Sequence, residues 1–92
     1  MENETKFTFD TAVLAIVTLA SSPSNDERLA IYGLYKQATI GDINIPAPSY
    51  FDFAGSAKWN AWDRLKGRFP EQAKVEYVDL VVALIAKYGQ KT

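Results

Sequence analysis

Neither cysteine nor histidine occurs anywhere in the 92 residues. Without cysteine there is no disulfide framework and no thiolate metal site. Without histidine, the commonest metal ligand and the commonest general base are both missing. A serine here has no imidazole to activate it, and a serine–lysine pair needs a preorganised geometry that spacing does not supply. No glycine-rich phosphate loop is present either. Ten basic against eleven acidic residues leave a formal charge of −1, so neither sign dominates. That argues against bulk attraction to nucleic acid or to an anionic membrane, and any anion site must be a local cluster of cations. The apolar run AVLAIVTLA, Ala12 to Ala20, is too short to span a bilayer, which needs about 20 residues. The opening MENETKFTFD is acidic and polar rather than a basic leader. The expectation is a soluble protein of the cytoplasm, with no nucleic-acid partner and no stable membrane insertion.

What is present suits one globular domain, residues 1–92. Hydrophobic residues at 48% and charged residues at 23% are ordinary for a folded chain. The spacing predicts four helices and no strands. The first covers Phe7 to Ala20, with Phe9, Val13, Ile16 and Ala20 on one stripe. SNDE, Ser24 to Glu27, matches a capping box and starts a second helix that runs to Thr39 or Ile40, where Gly41 stops it. Pro46 and Pro48 exclude a regular helix from the following stretch, which is longer than a tight hairpin needs. A long connection lets the third helix, Gly55 to Leu65, run parallel to the second. Pro70 opens the fourth helix and Gly89 ends it after Tyr88. Its stripe is Ala73, Tyr77, Leu80, Val81, Leu84 and Tyr88. The fold class is all-α, a four-helix bundle.

Two stretches invite a chemical reading. Carboxylates near helix ends, Asp26, Glu27 and Glu71, read as caps and dipole partners. KWNAWDRLKGRF, Lys58 to Phe69, interleaves basic and aromatic residues. That pattern belongs to single-stranded nucleic-acid surfaces and also to an amphipathic helix with core tryptophans and solvated charges, and the near-zero net charge favours the second. YGLYKQATIGD, Tyr32 to Asp42, places Tyr32 and Lys36 one turn apart with Tyr35 beside them. The face is either ordinary amphipathic packing or a site for a flat-ringed anion. In the second case lysine meets a phosphate, one phenol donates to it and another ring stacks on a base.

IYGLYKQATIGDIN, then SAKWNAWDRLKG, then LIAKYG, in that order, resemble the acyl-coenzyme A binding protein family. The likeness covers about Phe7 to Gly89. It implies a bundle in up-down-down-up order, a long-chain fatty acyl-CoA ester as ligand, no catalysis and no cofactor. It also implies a cytosolic carrier and buffer of such esters, a monomer with transient contact to acyl-CoA-using enzymes. Carried over by position, Tyr32 and Lys36 hold the 3′-phosphate of the ribose, joined by Lys58. Tyr35 stacks on adenine, the Tyr77 hydroxyl reaches the head group, and Leu29 lines the acyl and pantetheine path. Gly33, Leu34, Arg28, Val17 and Ala54 are further candidates for ligand contact. Val17 and Ala54 stand where many members carry lysine, and Ala47 and Ser56 where many are basic, so the cationic rim is expected to be weaker. Arg28 is the candidate to compensate. The competing class is a helical protein-interaction module that keeps the fold and has weakened ligand binding.

Overall fold

The computed structural model describes residues 7–92, and the acidic opening Met1–Lys6, read above as no leader, lies outside the described residues. Four α-helices account for the regular structure there: α1 Phe9–Ala15, α2 Asn25–Thr39, α3 Phe53–Asp63 and α4 Pro70–Tyr88. The four-helix, all-α expectation holds. No described helix is long and apolar enough to cross a membrane.

α1 is shorter than its apolar run. Thr8 and Thr11 cap each other's backbone amides, which sets the start at Phe9. After Ala15 the chain tightens into a 3₁₀ turn, Ile16–Thr18, and then extends. The Thr18 hydroxyl donates to the Ala15 carbonyl at 2.6 Å, occupying the acceptor that another α turn uses. The chain's far end takes the remaining groups. Ala20 N–H donates to the Gly89 carbonyl, Lys91 N–H donates to the Thr18 carbonyl, and Leu19 forms a single antiparallel bridge with Gln90. Tertiary pairing thus overrides a helical propensity that the sequence carries to Ala20. Ala12, Ala15 and Leu19 are buried, whereas Ala20 is exposed.

α2 begins as its capping box requires. Glu27 N–H donates to Ser24 Oγ at 3.1 Å, and Ser24 N–H donates to Glu27 Oε1 at 2.7 Å. The same carboxylate takes Lys87 Nζ at 2.7 Å and the Tyr88 hydroxyl from the last turn of α4. The start of α2 therefore meets the end of α4, and these two helices are antiparallel. α3 starts two residues before the expected Gly55 because Asp52 caps it, accepting the Gly55 N–H at 2.9 Å. Leu65 falls in the turn after it, where its N–H donates to the Trp62 carbonyl. α4 begins on Pro70 as read.

The core joins Ala12 and Ala15 of α1, Leu34 and Ala38 of α2, and Ala73, Tyr77, Val78 and Val81 of α4. Half of these are alanines, so the helix axes approach closely. α3 packs on α2, and at Gly33 the two backbones come into contact. A Cβ there stands 2.4 Å from the Ala61 carbonyl oxygen, which is backbone and has nowhere to go. Only glycine permits this crossing. α3 runs parallel to α2, since Lys58 lies by Tyr32 and Trp62 lies by Lys36 and Gly41.

Two predictions follow from these contacts. Gly33→Ala overpacks the α2–α3 crossing and should cost about 1–3 kcal/mol in urea unfolding. An unchanged midpoint means the helices are not in backbone contact. Glu27 is held at about 2, against an ordinary 4.5, first by Lys87, then by Tyr88 and the Ser24 amide. A depressed carboxyl stabilises the fold above its unfolded value and loses that contribution as pH falls towards about 2. Thermal unfolding of the parent should therefore drop more between pH 4.5 and 2 than that of Glu27→Gln. Parallel pH curves for the two proteins contradict the assignment.

Candidate functional site

The α2–α3 crossing turns one face of each helix towards the same ring. Tyr32 and Lys36 are one turn apart on α2, and Lys58 is on α3. Lys36 Nζ is 5.9 Å from the Tyr32 ring centroid, and Lys58 Nζ is 5.6 Å from it. Lys36 Nζ also stands 5.1 Å from the Trp62 ring. Each exposed cation–π contact is worth about 0.5–1 kcal/mol. Among the described residues neither lysine is in an ion pair, while Arg68, Lys74 and Lys87 each have a carboxylate. Two ammoniums and one phenol, with no acid between them, form an anion-accepting corner. Beside it lies a cavity of about 230 Å³, lined by Tyr32, Ile45, Pro46, Pro48, Lys58 and Trp59.

The tryptophans of KWNAWDRLKGRF hold this corner in shape. Trp62 is 1% exposed and its indole N–H donates to the Gly41 carbonyl at 2.7 Å. Trp59 is half-buried and donates to the Ile45 carbonyl at 2.9 Å. Both indoles thus tie the α2–α3 connection to α3. The amphipathic-helix reading of this stretch fits, and the ring of Trp62 is not available as a stacking platform.

Within YGLYKQATIGD, the residues that are not tyrosine or lysine build the scaffold. Gln37 is fully buried, a feature the sequence reading missed. Its amide nitrogen donates to Asp42 Oδ1 at 3.0 Å and to the Arg68 carbonyl at 2.7 Å. Asp42 also accepts the Gly67 N–H at 2.8 Å. The Gly67 amide, then Gln37, hold the Asp42 carboxyl below its usual range. The end of α2 is thereby fastened to the α3–α4 turn. Gly41, at φ 100°, supplies the reversal that points Asp42 there. A signal was available: Gln37 continues the stripe Gly33, Leu34, Ala38, so its amide nitrogen had to find acceptors inside, while its Oε1 has no partner among the described residues.

The other expected residues are distributed around the corner. Tyr35 is 39% exposed, and its ring stacks on Phe9 of α1 at 6.1 Å and 20°. Tyr77 of α4 lies 5.1 Å from Phe9 and 6.2 Å from Tyr35, completing a three-ring cluster. Tyr77 is 2% exposed, and burial, with Tyr35 next, pushes its phenol up from the ordinary value. Phe9 was not among the expected residues, although its place on the first helical stripe marked it as inward-facing. Leu29 and Leu34 line a second cavity of about 280 Å³ with Ala30, Ala61, Leu65 and Arg64. Gly33 is consumed by the helix crossing and Leu34 belongs to the core. Arg28 is exposed on α2. Ala54 is exposed in the first turn of α3, next to Gly55 on the Tyr32 cavity. Val17 is exposed in the 3₁₀ turn, where it lines a separate recess with Leu19, Pro23 and Lys91.

The described residues thus form a small α bundle with two lysines from different helices beside one tyrosine at a helix crossing. The sequence profile of the family described as Acyl CoA binding protein matches residues 6–81. Acyl-CoA-binding protein homolog 1 of Caenorhabditis elegans is 52% identical over 81 residues, covering 88% of this chain and 94% of that protein. The Acyl-CoA-binding protein of Saccharomyces cerevisiae is 46% identical over 81 residues, covering 88% and 93%. The crystal structure of Oryza sativa Acyl-CoA-Binding Protein 2 superposes with a TM-score of 0.82 at 34% identity, covering 86% of this chain and 88% of that one. The chain belongs to the acyl-CoA-binding protein family.

The scaffold role of Gln37 is open to test. Gln37→Leu removes the buried donor to the Arg68 carbonyl and to Asp42. The expected loss is about 1–3 kcal/mol in urea unfolding. Wild-type stability in this variant means the two bonds do not hold the α3–α4 turn.

Proposed function

We propose that this protein binds long-chain fatty acyl-CoA esters without chemistry, carrying and buffering them as a cytoplasmic monomer. The observation that supports this reading best is the pair of ammoniums, Lys36 and Lys58, both within 6 Å of the Tyr32 ring. In the proposal the two lysines and the Tyr32 hydroxyl receive the 3′-phosphate of the ribose. Lysine is a compact charge with rotatable donors, and two from different helices approach one phosphate from different directions. The exposed face of Tyr35, backed by Phe9, takes the adenine ring. Tyr77 supports Tyr35 from the core, and its hydroxyl is the only part of it proposed to face the head group. Leu29 borders the acyl and pantetheine path. Val17 and Ala54 bring no charge to the phosphates, so most of the head-group attraction rests on Lys36 and Lys58, with Arg28 as an outlying cation.

The binding energy then divides by chemistry. Each charge-assisted hydrogen bond is worth about 1.5–3 kcal/mol net. Each buried methylene adds about 0.8 kcal/mol, so two extra carbons change affinity by roughly tenfold until the groove is full. The head group defines the class of ligand and the tail grades it. No covalent step is proposed. Among the described residues no three acidic side chains gather as a metal site. The whole chain, 1–92, is read as one domain, and contact with acyl-CoA-using enzymes is transient. The alternative, an interaction module with the ligand lost, is disfavoured because both lysines stand beside Tyr32 with no ion-pair carboxylate among the described residues.

The test is a pair of variants against a pair of ligands. Lys36→Ala and Lys58→Ala should each weaken palmitoyl-CoA binding by about 1–3 kcal/mol in calorimetry. With dephospho-palmitoyl-CoA, which lacks the 3′-phosphate, the same changes should have a much smaller effect. An equal loss with both ligands places the lysines at another part of the ligand.

A further inference from the structure

α2 packs against both α3 and α4, and the lysine corner uses only its contact with α3. Towards α4, the half-exposed ring of Tyr35 stacks on Phe9, and Phe9 carries a cation of its own. Lys74 Nζ stands 5.8 Å from the Phe9 ring centroid. Lys74 is on α4, three residues before Tyr77 and on the same side of that helix. Tyr77 in turn meets Phe9 and Tyr35. Lys74 is therefore one ring removed from Tyr35, at the edge of the three-ring cluster.

Its present partner holds it loosely. Lys74 Nζ lies 3.3 Å from Glu71 Oε2, and the Glu71 side chain is 85% exposed. Arg68 and Lys87 stand closer to their carboxylates, Glu76 and Glu27. Each of those carboxylates also takes a second side-chain donor, Gln72 on Glu76 and Tyr88 on Glu27. Among the described residues Glu71 takes none beyond Lys74. An exposed pair one turn apart on a helix contributes little, so a competing anion displaces it readily.

We propose that Lys74 is a third head-group cation, and that it serves the 5′-diphosphate of the ligand. This rests on the proposed ligand and on Tyr35 as the platform for adenine. Charge supplies the argument. The two ammoniums of the corner match the roughly −2 charge of one phosphate monoester, the 3′-phosphate. The diphosphate then has no cation from the corner. Lys74 is beside the purine platform, its charge is loosely engaged, and its flexible stem lets the ammonium turn from Glu71 to a phosphate oxygen. A ligand lying across α2 thus meets a lysine from α3 at one phosphate and a lysine from α4 at the other. Glu71 tempers the attraction by competing for the same ammonium.

Calorimetry with coenzyme A, which has no acyl tail, tests this. Lys74→Gln keeps much of the stem and removes the charge. It should weaken binding about three- to fivefold at low ionic strength, and less than about twofold in high salt. The loss should persist with dephospho-coenzyme A, which keeps the diphosphate, whereas the losses from Lys36→Ala and Lys58→Ala shrink. Lys74→Arg should bind as the parent does. Glu71→Gln, which frees the ammonium, should tighten binding about twofold at low ionic strength. Thermal unfolding of these Lys74 and Glu71 variants should stay within the range of exposed substitutions. Parent-like binding by Lys74→Gln overturns the proposal and leaves the ligand reading standing. A loss that vanishes with dephospho-coenzyme A moves Lys74 to the 3′-phosphate and overturns it too, as does weaker binding by Glu71→Gln. A parent protein that binds neither coenzyme A nor palmitoyl-CoA overturns the ligand reading and this proposal together.

Discussion

The close crossing of α2 over α3 is the constraint on which the rest depends. With Gly33 laid against the Ala61 carbonyl, the two helices come into backbone contact at this point. That proximity is what lets a lysine on α3 reach the same phenol as a lysine on α2. Push the helices apart by one methyl group and the corner opens before any of its own side chains has changed. The indole bonds to Gly41 and Ile45 and the Gln37–Asp42–Gly67 link close the same region from its two ends. Parallel neighbours need a long connection, and this fold uses that connection as the wall of a cavity.

One short motif therefore carries two jobs, alternating along a single helix. Tyr32, Tyr35 and Lys36 turn outward or into the corner, while Gly33, Leu34, Gln37 and Ala38 turn into the molecule. The scaffold half is more demanding. A lysine beside solvent tolerates movement, but a buried amide nitrogen must find both of its acceptors. The charged residues of the corner thus alternate with buried or hydrogen-bonded positions.

Much of the fold was legible where local chemistry decides it. The Ser24–Glu27 box, the stop at Gly41 and the start at Pro70 are all written in neighbouring residues, and all appear. The end of α1 was not legible, because it is set by Gly89, Gln90 and Lys91 pairing with Thr18 to Ala20. Glu27 shows the same divide in one residue: its cap was readable, and its bonds to Lys87 and Tyr88 were not. At the site, spacing brought Tyr32 and Lys36 together, whereas Lys58 entered through family likeness, since no periodicity links separate helices. Phe9 behind Tyr35 comes from α1: its stripe marked it as inward-facing, but no spacing linked it to Tyr35 on α2.

The central claim is that the α2–α3 corner recognises the nucleotide half of an acyl-CoA ester, and that the tail only adds to it. The most direct measurement is calorimetry of the unaltered protein with palmitoyl-CoA and, separately, with palmitate. The account predicts tight one-to-one binding of the thioester and much weaker binding of the free acid, which has no phosphate for Lys36 and Lys58. Equal affinity for the two ligands contradicts it.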